Sequence, residues 1–258
     1  GPRLLAAGIG MKGSHGAGHI GMPHCGAGEI RHTCRENLKK GAALLKLFIT
    51  PGVPEPASTF VPSFLSLEEI SAAVSEGARL GIPTAAHCIG GQGLKDCIDG
   101  GVDVIEHMYM AAEQDVERLA ASRCVVDLTS GIFLDPSREE FLSPANALKV
   151  RLNRSRVREN VARIIKARLP FVLGTDAYHG FLYREVGYAV ELGADPVTAI
   201  QGVTSRAARV CRLEDRIGKL ENGMEADIIA VEGNPLEDVS RLSQVGLVMK
   251  GGVVYRQP

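Results

Sequence analysis

Metal-capable side chains stand at the carboxyl ends of three short apolar runs in the sequence. The runs end in His87, His107 and Asp176. If the runs are neighbouring parallel strands, their carboxyl ends meet at one face, and we expect the three side chains to converge on one pocket. Two imidazoles and a carboxylate suit a divalent metal such as zinc. The pattern therefore predicts a metal site.

A fourth chemical signal is a lysine inside an apolar run. Lys46 interrupts Leu44 to Ile49, where an unpaired ammonium would be costly to bury. Three interpretations stay open. The amine forms an ion pair with a neighbouring carboxylate, its charged end reaches water at a barrel mouth, or it has captured carbon dioxide to form a carbamate whose oxygens could bridge two metal ions.

The elements that must position these side chains alternate between short apolar runs and longer stretches of helical period. This alternation predicts βα units around a parallel sheet, an α/β fold of the (β/α)8 or TIM-barrel type. Five strands are expected from Ala43 to Ile49, Pro83 to His87, Val102 to His107, Cys124 to Leu128 and Phe171 to Asp176, with a sixth from Arg3 to Ala7.

Helices are expected between these strands and after the last. Ser66 to Glu69 is typical of a capping box, which starts a helix over about 67–80. Further helices are predicted over 93–98, 114–121 and 146–168, and a helical stretch follows Asp195. The tail then changes to strands over 226–231, 245–250 and 253–256. We therefore divide the chain into a barrel over 1–214, and part of a small β domain over 215–258.

Composition excludes several classes of function. The chain has 29 Lys and Arg against 30 Asp and Glu, a formal charge of −1, and 45% hydrophobic residues. A balanced charge gives no basic field for nucleic acid or anionic membranes, and no window approaches the roughly 18 apolar residues of a membrane span. Six cysteines without a CxxC pair predict free thiols. We expect a cytoplasmic homo-oligomer that binds neither nucleic acid nor membranes.

Taken together and in order, these motifs resemble the amidohydrolase superfamily, and within it the branch of imidazolonepropionase-like proteins and Xaa-Pro and Xaa-Arg dipeptidases. The final strand is similar to that superfamily's closing PGxxADLV strand. The matching segments are Leu45-Lys46-Leu47, Ala86-His87, Glu106-His107, Gly174-Thr175-Asp176-Ala177 and Asn222 to Ile229.

This resemblance implies a hydrolase in which a hydroxide held between two divalent ions, such as zinc, attacks an amide carbonyl. It would make Lys46 the carboxylated bridge, while His87 and His107 hold the second ion. Asp176 would bind the first ion and act as the catalytic base and then acid. The expected substrate is a dipeptide or an N-acyl amino acid. The alternatives are a cyclic amide, in the manner of imidazolonepropionase, and an incomplete chain that serves as a partner subunit.

One departure from the family pattern bears on the metal. The family begins its barrel with a His-x-His pair on the first strand, and this sequence contains none. With Arg3 to Ala7 as the third strand, two strands and the opening half of the small β domain are absent. We therefore expect the larger part of a longer polypeptide, with at most one ion, near His87 and His107.

Three further residues are candidates for substrate binding. His15 lies in Gly13-Ser14-His15-Gly16, which resembles the Gly-Gly-His-Gly after the third strand of the dipeptidase branch, or it is a loop histidine. Tyr109 follows His107 by two positions, and Arg184 lies in the predicted loop and helix start after Asp176. A hydroxyl or a bidentate guanidinium could bind a substrate carboxylate, although both residues also have ordinary packing roles.

Overall fold

A seven-stranded parallel sheet forms the centre of the fold. The computed structural model describes residues 2–16, 20–176 and 180–257. Within them the strand order is β2-β1-β3-β4-β5-β6-β7. The strands are β1 (Met11–Gly13), β2 (Met22–His24), β3 (Leu45–Phe48), β4 (Thr84–Cys88), β5 (Val104–His107), β6 (Val125–Leu128) and β7 (Phe171–Leu173). The last five follow the predicted runs, and the strands and helices together form a fold of the (β/α)8-barrel type.

The predicted first strand, from Arg3 to Ala7, is wrong. These residues are irregular, and Leu4 is 82% exposed. Arg3 instead reaches the other end of the chain, where its guanidinium pairs with Glu225 and Asp227. The strand beside Leu45–Phe48 is Met11–Gly13, which buries all three of its residues.

Helices connect the strands. They are α1 (Ala27–Lys39), α2 (Leu67–Ala78), α3 (Gly91–Gly100), α4 (Glu113–Ala120), α5 (Gly131–Leu134), α6 (Pro144–Lys166), α7 (Leu182–Glu191), α8 (Pro196–Gly202) and α9 (Ser205–Val210). Short 3-10 helices cover Pro136–Phe141 and Val239–Ser243. The predicted capping box is present, because the Ser66 hydroxyl accepts from the Glu69 N–H while the Glu69 carboxylate accepts from the Ser66 N–H. Helices α1 and α5 and the bounds of α7 were not predicted.

The core lies between the parallel sheet and the helices. Its members on the strands include Leu45, Leu47, Ala86, Ile105 and Val126, all of which are 0% exposed. The long helix α6 contributes its apolar stripe to the same cluster through Val150, Val157, Val161 and Ile164. A buried apolar face on each element gives the strands fixed positions, and therefore fixes which side chains meet at their ends.

A small antiparallel sheet closes the described chain. It consists of β8 (Ile228–Val231), β9 (Val245–Lys250) and β10 (Val253–Arg256), in the order β10-β9-β8. The predicted turn between β9 and β10 is present, with Gly251 and Gly252 both at positive φ. The boundary at residue 215 stays a prediction. No helix of the described residues is long and apolar enough to cross a membrane.

Candidate functional site

Side chains from the ends of three neighbouring strands, and from the segment after β7, meet in one cleft. Lys46 lies on β3, His87 on β4 and His107 at the end of β5, while Asp176 lies three residues beyond the end of β7. All four line a cavity of about 480 Å³. The structure therefore brings together the residues that the sequence singled out, at the carboxyl edge of the parallel sheet, as the alternation of strands and helices predicts.

Two of these residues have strained backbones. Among the described residues other than glycine, only His107, Met108, Arg168, Asp176 and Arg212 have φ in the left-handed region. The φ of His107 is 77° and that of Asp176 is 47°. Such conformations cost about 1 to 3 kcal/mol and cluster at functional sites. The left-handed backbone at His107 and Asp176 is therefore evidence for a functional cleft that does not depend on the residue types found there.

The positive charge of Lys46 is balanced by a carboxylate on β5, two strands along the sheet from β3. Its Nζ contacts Glu106 Oε2, and the two side chains are 18% and 15% exposed. The ammonium also lies 5.2 Å from the centre of the Phe48 ring. Of the three interpretations of Lys46, the structure shows the ion pair. The carbamate stays a prediction.

The two histidines lie side by side and are held by different partners. Their ring centroids are 4.6 Å apart. His107 Nδ1 hydrogen-bonds the Thr129 hydroxyl at 2.7 Å, so its Nε2 faces Glu106 Oε2 at 3.8 Å. His87 Nε2 donates to the Pro51 carbonyl at 3.1 Å. Burial lowers the pKa of both imidazoles, that of His107 the further. Neutral imidazoles are the form that binds metals.

Two carboxylates in this region are destabilised in their charged forms. Burial raises the pKa of Asp176, and the nearby Glu106 carboxylate adds to that rise. Asp127, on β6, is half-buried, and burial followed by repulsion from Glu106 raises its pKa to about 8. Asp127 Oδ1 has no hydrogen-bond partner among the described residues. A cation in the cleft would relieve this excess of carboxylates.

Sequence reasoning missed the roles of Glu106, Asp127 and Lys12. His87, Glu106 and Asp127 stand at the same level on successive strands, because His87 is registered with Glu106 and Glu106 with Asp127. The available signal for these residues was a charged side chain inside a strand predicted to be buried. Only Lys46 was singled out by this signal. Lys12 on β1 lines the cleft although its side chain is almost fully buried.

The three candidate substrate-binding residues occupy different surroundings. His15 follows β1 directly and is exposed, with its ring edge-to-face against Phe64 at 5.7 Å. Tyr109 is 2% exposed, and its hydroxyl donates to the Thr129 carbonyl at 2.9 Å. It packs behind His107, with ring centroids 5.3 Å apart. None of the three lines the cleft as it stands.

Arg184 is engaged away from the cleft. Its Nη1 lies 2.6 Å from Asp135 Oδ2 and donates to the Ser137 hydroxyl at 3.0 Å. The guanidinium carbon lies 4.5 Å from the centre of the Phe181 ring. Hydrogen bonds from Ser137 and Arg184 outweigh burial and lower the pKa of Asp135. In this structure Arg184 joins the first turn of α7 to the turn after α5.

The donor set in the cleft fits a divalent cation. Two neutral imidazoles adjoin a carboxylate, Asp176, whose charged form burial disfavours. Nitrogen and oxygen ligands of this kind bind zinc and related ions. Within the described residues, no group of three or more His, Cys, Asp and Glu side chains is already gathered around a metal position. The expected number of ions stays a prediction.

The fold and this cleft define a parallel α/β barrel whose candidate site lies at the carboxyl ends of the strands. Comparison with known proteins identifies the family. Residues 1–254 match the Amidohydrolase family. The chain belongs to that family. The resemblance noted from Lys46, His87, His107 and Asp176 is thereby confirmed for the family and for a dipeptidase-like branch.

Particular relatives are similar over most of the chain. Ochratoxinase from Aspergillus niger is 32% identical over 248 residues, which are 90% of this chain and 50% of that protein. The crystal structure of a Xaa-Pro dipeptidase with bound methionine is 29% identical, with a TM-score of 0.82 over 91% of this chain and 59% of that one. The crystal structure of A. niger ochratoxinase gives a TM-score of 0.84 at 26% identity, over 100% of this chain and 67% of that one.

A more distant similarity bears on the alternative substrate. Imidazolonepropionase from Desulfotalea psychrophila (strain LSv54 / DSM 12343) is 23% identical over 179 residues, which are 65% of this chain and 38% of that protein. The chain spans about half the length of the ochratoxinase and less of the imidazolonepropionase.

Proposed function

We propose that this protein is a metal-dependent hydrolase that cleaves an amide C–N bond in a dipeptide or an N-acyl amino acid. One observation carries the proposal. A single cleft of about 480 Å³ is lined by Lys46, His87 and His107, from three neighbouring strands, and by Asp176, from the segment after β7. Membership of the amidohydrolase family and similarity to a Xaa-Pro dipeptidase support the reaction class.

His87, His107 and Asp176 are the residues that would hold the metal. When bound, a divalent ion supplies Lewis acidity and lowers the pKa of a bound water from about 15.7 toward 7. Burial already keeps both imidazoles neutral, so metal binding displaces no proton from them near pH 7. The hydrogen bond from His107 Nδ1 to Thr129 fixes that ring with its other nitrogen toward the cleft.

Asp176 is the proton carrier of the proposed reaction. Its raised pKa brings the carboxylate closer to neutrality, where accepting and then returning a proton are both feasible. It takes a proton from the attacking water and delivers it to the leaving nitrogen. The strained φ of 47° at this residue fixes where the carboxylate points.

Three lysines that line the cleft are candidates to bind a substrate carboxylate. They are Lys12, Lys46 and Lys149. Glu55 partners Lys149 and Glu106 partners Lys46, so a substrate carboxylate would share or replace these partners. A dipeptide or an N-acyl amino acid presents an amide a few bonds from a carboxylate, which lets the amide lie at the metal-binding residues while the carboxylate contacts a lysine.

Activity measurements with matched variants test this proposal. The chain is supplied with zinc and bicarbonate and assayed against Xaa-Pro dipeptides and N-acyl amino acids. We expect Asp176→Asn to lower kcat at least about 100-fold. Asp215→Asn, an exposed carboxylate far along the sequence, should leave it unchanged. Equal turnover by Asp176→Asn and the unmodified chain would contradict the proposed role.

Zinc binding gives a readout that does not need turnover. We expect His107→Ala to weaken zinc binding strongly in a calorimetric titration, and His32→Ala, an exposed histidine on α1, to leave it unchanged.

Carbamate formation on Lys46 is tested by 13C NMR after addition of 13C-labelled bicarbonate. A carbamate signal that is absent in Lys46→Gln would support the bridge.

A cyclic amide is the second candidate substrate. The similarity to an imidazolonepropionase favours it. Assay of imidazolone-type cyclic amides beside the dipeptide panel separates the two, and the larger kcat/KM identifies the class. Zinc bound without hydrolysis of either class would favour a non-catalytic partner subunit.

A further inference from the structure

A second pocket, at the opposite edge of the parallel sheet, is lined by arginines. Its cavity is about 450 Å³. It lies at the amino ends of β5, β6 and β7, whereas the cleft described above lies at the carboxyl ends of the strands. Five guanidinium groups and one carboxylate line it: Arg123, Arg168, Arg206, Arg209, Arg212 and Asp103. We call it the arginine pocket.

The single carboxylate cannot balance these charges. Asp103 Oδ1 accepts from Arg212 at 3.1 Å, while its Oδ2 already accepts from the N–H and the hydroxyl of Thr84 at 2.8 and 3.0 Å. Within residues 2–16, 20–176 and 180–257, the other four arginines have no ion pair with a carboxylate. With Asp103 balancing one of the five guanidinium groups, the lining of the pocket keeps a positive charge in a chain of net charge −1.

One further carboxylate, Asp195, lies near Arg206 and offsets one more of the positive charges, so three remain. Asp195 lies in an adjoining depression with Arg168 and Arg206. Its Oδ1 is occupied as the cap of α8, where it accepts from Thr198 N at 2.9 Å. The Arg206 guanidinium carbon lies 5.8 Å from the centre of the Phe171 ring, a contact that holds the side chain over the pocket without neutralising it.

Backbone strain marks this pocket as it marks the cleft. Arg168 and Arg212 follow the ends of α6 and α9 with φ of 56° and 57°. Glycine is the usual residue at such left-handed positions, and another residue there costs about 1 kcal/mol. Among the described residues, every left-handed position that is not glycine lies in or beside either the cleft or this pocket. An arginine at each of these two costly positions calls for a reason other than helix termination.

We propose that the arginine pocket binds a small anion that carries two or more phosphate groups. Guanidinium forks match phosphate oxygens in bidentate pairs, and a volume of about 450 Å³ is in the range of small-molecule sites. One phosphate group carries up to about two negative charges, fewer than the three positive charges that remain, so two groups match the pocket better than one. The site is separate from the proposed hydrolytic cleft and does not depend on it.

Calorimetric titration of the metal-free chain with pyrophosphate tests the proposal. We expect saturable binding of one pyrophosphate per chain, which weakens as salt is added, and at least about tenfold weaker binding of inorganic phosphate. Arg209→Gln should weaken pyrophosphate binding about tenfold, since charged hydrogen bonds of this kind are lost. Arg256→Gln is the matched control, because Arg256 is also exposed and unpaired within the described residues, and it should bind like the unmodified chain.

Three results would overturn the proposal. They are no saturable binding of pyrophosphate, an unchanged Kd in Arg209→Gln, and binding of long RNA or heparin in the absence of any binding of pyrophosphate. If Arg209→Gln fails to fold, arginine modification by phenylglyoxal in the unmodified chain decides the question. Pyrophosphate should then protect Arg206 and Arg209, and not Arg256, in mass spectra of the digested protein, whereas equal modification with and without pyrophosphate would rule the site out.

Discussion

Arg138 and Glu185 form a fully buried ion pair behind the loop that carries Asp176. Arg138 Nη2 lies 3.0 Å from Glu185 Oε1, and neither side chain is exposed. Both Glu185 oxygens also accept from the Gly131 N–H, at 3.0 and 3.1 Å. Arg138 Nη1 donates to the Thr175 carbonyl at 3.1 Å. The pair therefore connects α7, the turn after β6 and the residue before Asp176.

Removal of the arginine should be strongly destabilising. In Arg138→Met the Glu185 carboxyl stays buried without its partner and must either keep an unpaired charge or bind a proton, and we expect a loss of about 3 to 5 kcal/mol in the free energy of unfolding. Urea denaturation measures this loss. Arg158→Met, which breaks the exposed pair with Glu191, should cost less than about 1 kcal/mol. Equal stability of the two variants would show that the buried pair has no structural role.

Glu185 should make stability depend on pH between about 4.5 and 7. Burial raises its pKa to about 7, even though Arg138 and the Gly131 N–H favour the charged form. The folded state therefore binds the proton more tightly than the unfolded state, whose value is near 4.5. The stability that Glu185 contributes is fully present below pH 4.5 and is lost as the pH rises toward 7.

Glu185→Gln should remove this dependence. An amide does not titrate, so the difference between unfolding free energies at pH 5 and pH 7 should shrink relative to the unmodified chain. Urea unfolding at the two pH values measures the difference. Glu191→Gln, at an exposed position on the same helix, should leave it unchanged. A pH dependence identical in Glu185→Gln and the unmodified chain would assign the effect to other groups.

The sequence predicted the strand-end residues because their signal is local. Each of His87, His107 and Asp176 ends an apolar run, and the run itself predicts a strand. Barrel geometry then places strand ends together. The ion pair of Lys46 with Glu106 depended on register between strands that are far apart in sequence, which no local pattern contains. The same limit hid Asp127, whose inward direction follows from pairing with Glu106 and Val172.

The error at Arg3 to Ala7 has a different cause. A short apolar run predicts a strand wherever it occurs, and Leu4 and Leu5 satisfy that pattern while remaining exposed. Met11–Gly13, the true strand, contains a lysine and a glycine. A Cβ at Gly13 would lie 1.7 Å from the Phe64 carbonyl oxygen. The close approach of the Phe64 backbone requires glycine at position 13. Because glycine adds no apolar side chain to the run, the hydrophobic pattern does not predict this strand.

The hydrogen bond from His107 to Thr129 should matter for metal binding. The Thr129 hydroxyl contacts His107 Nδ1 at 2.7 Å and the Tyr109 hydroxyl at 2.6 Å. Thr129→Val keeps the shape and removes both contacts, and we expect zinc affinity to fall about 10- to 100-fold because the imidazole loses its orienting partner. Calorimetric zinc titration measures the change. Thr204→Val, whose hydroxyl contacts only the Ile200 carbonyl of its own turn, is the control, and a similar loss in both variants would contradict the orienting role.

Gly174 should tolerate no side chain, because it faces the Asp127 carboxylate beside the cleft. A Cβ there would lie 2.9 Å from both Asp127 Oδ1 and Oδ2. Asp127 is a short side chain on an internal strand and has little freedom to retreat, so Gly174→Ala should cost about 1 to 3 kcal/mol of unfolding free energy and shift the segment that leads to Asp176. Gly187→Ala is the matched control, since a Cβ at Gly187 on α7 meets nothing within 4 Å and alanine favours a helix by up to about 1 kcal/mol. Thermal unfolding should therefore show opposite shifts for the two variants, and a stabilised Gly174→Ala would mean that the Asp127 carboxylate does not stand against this backbone.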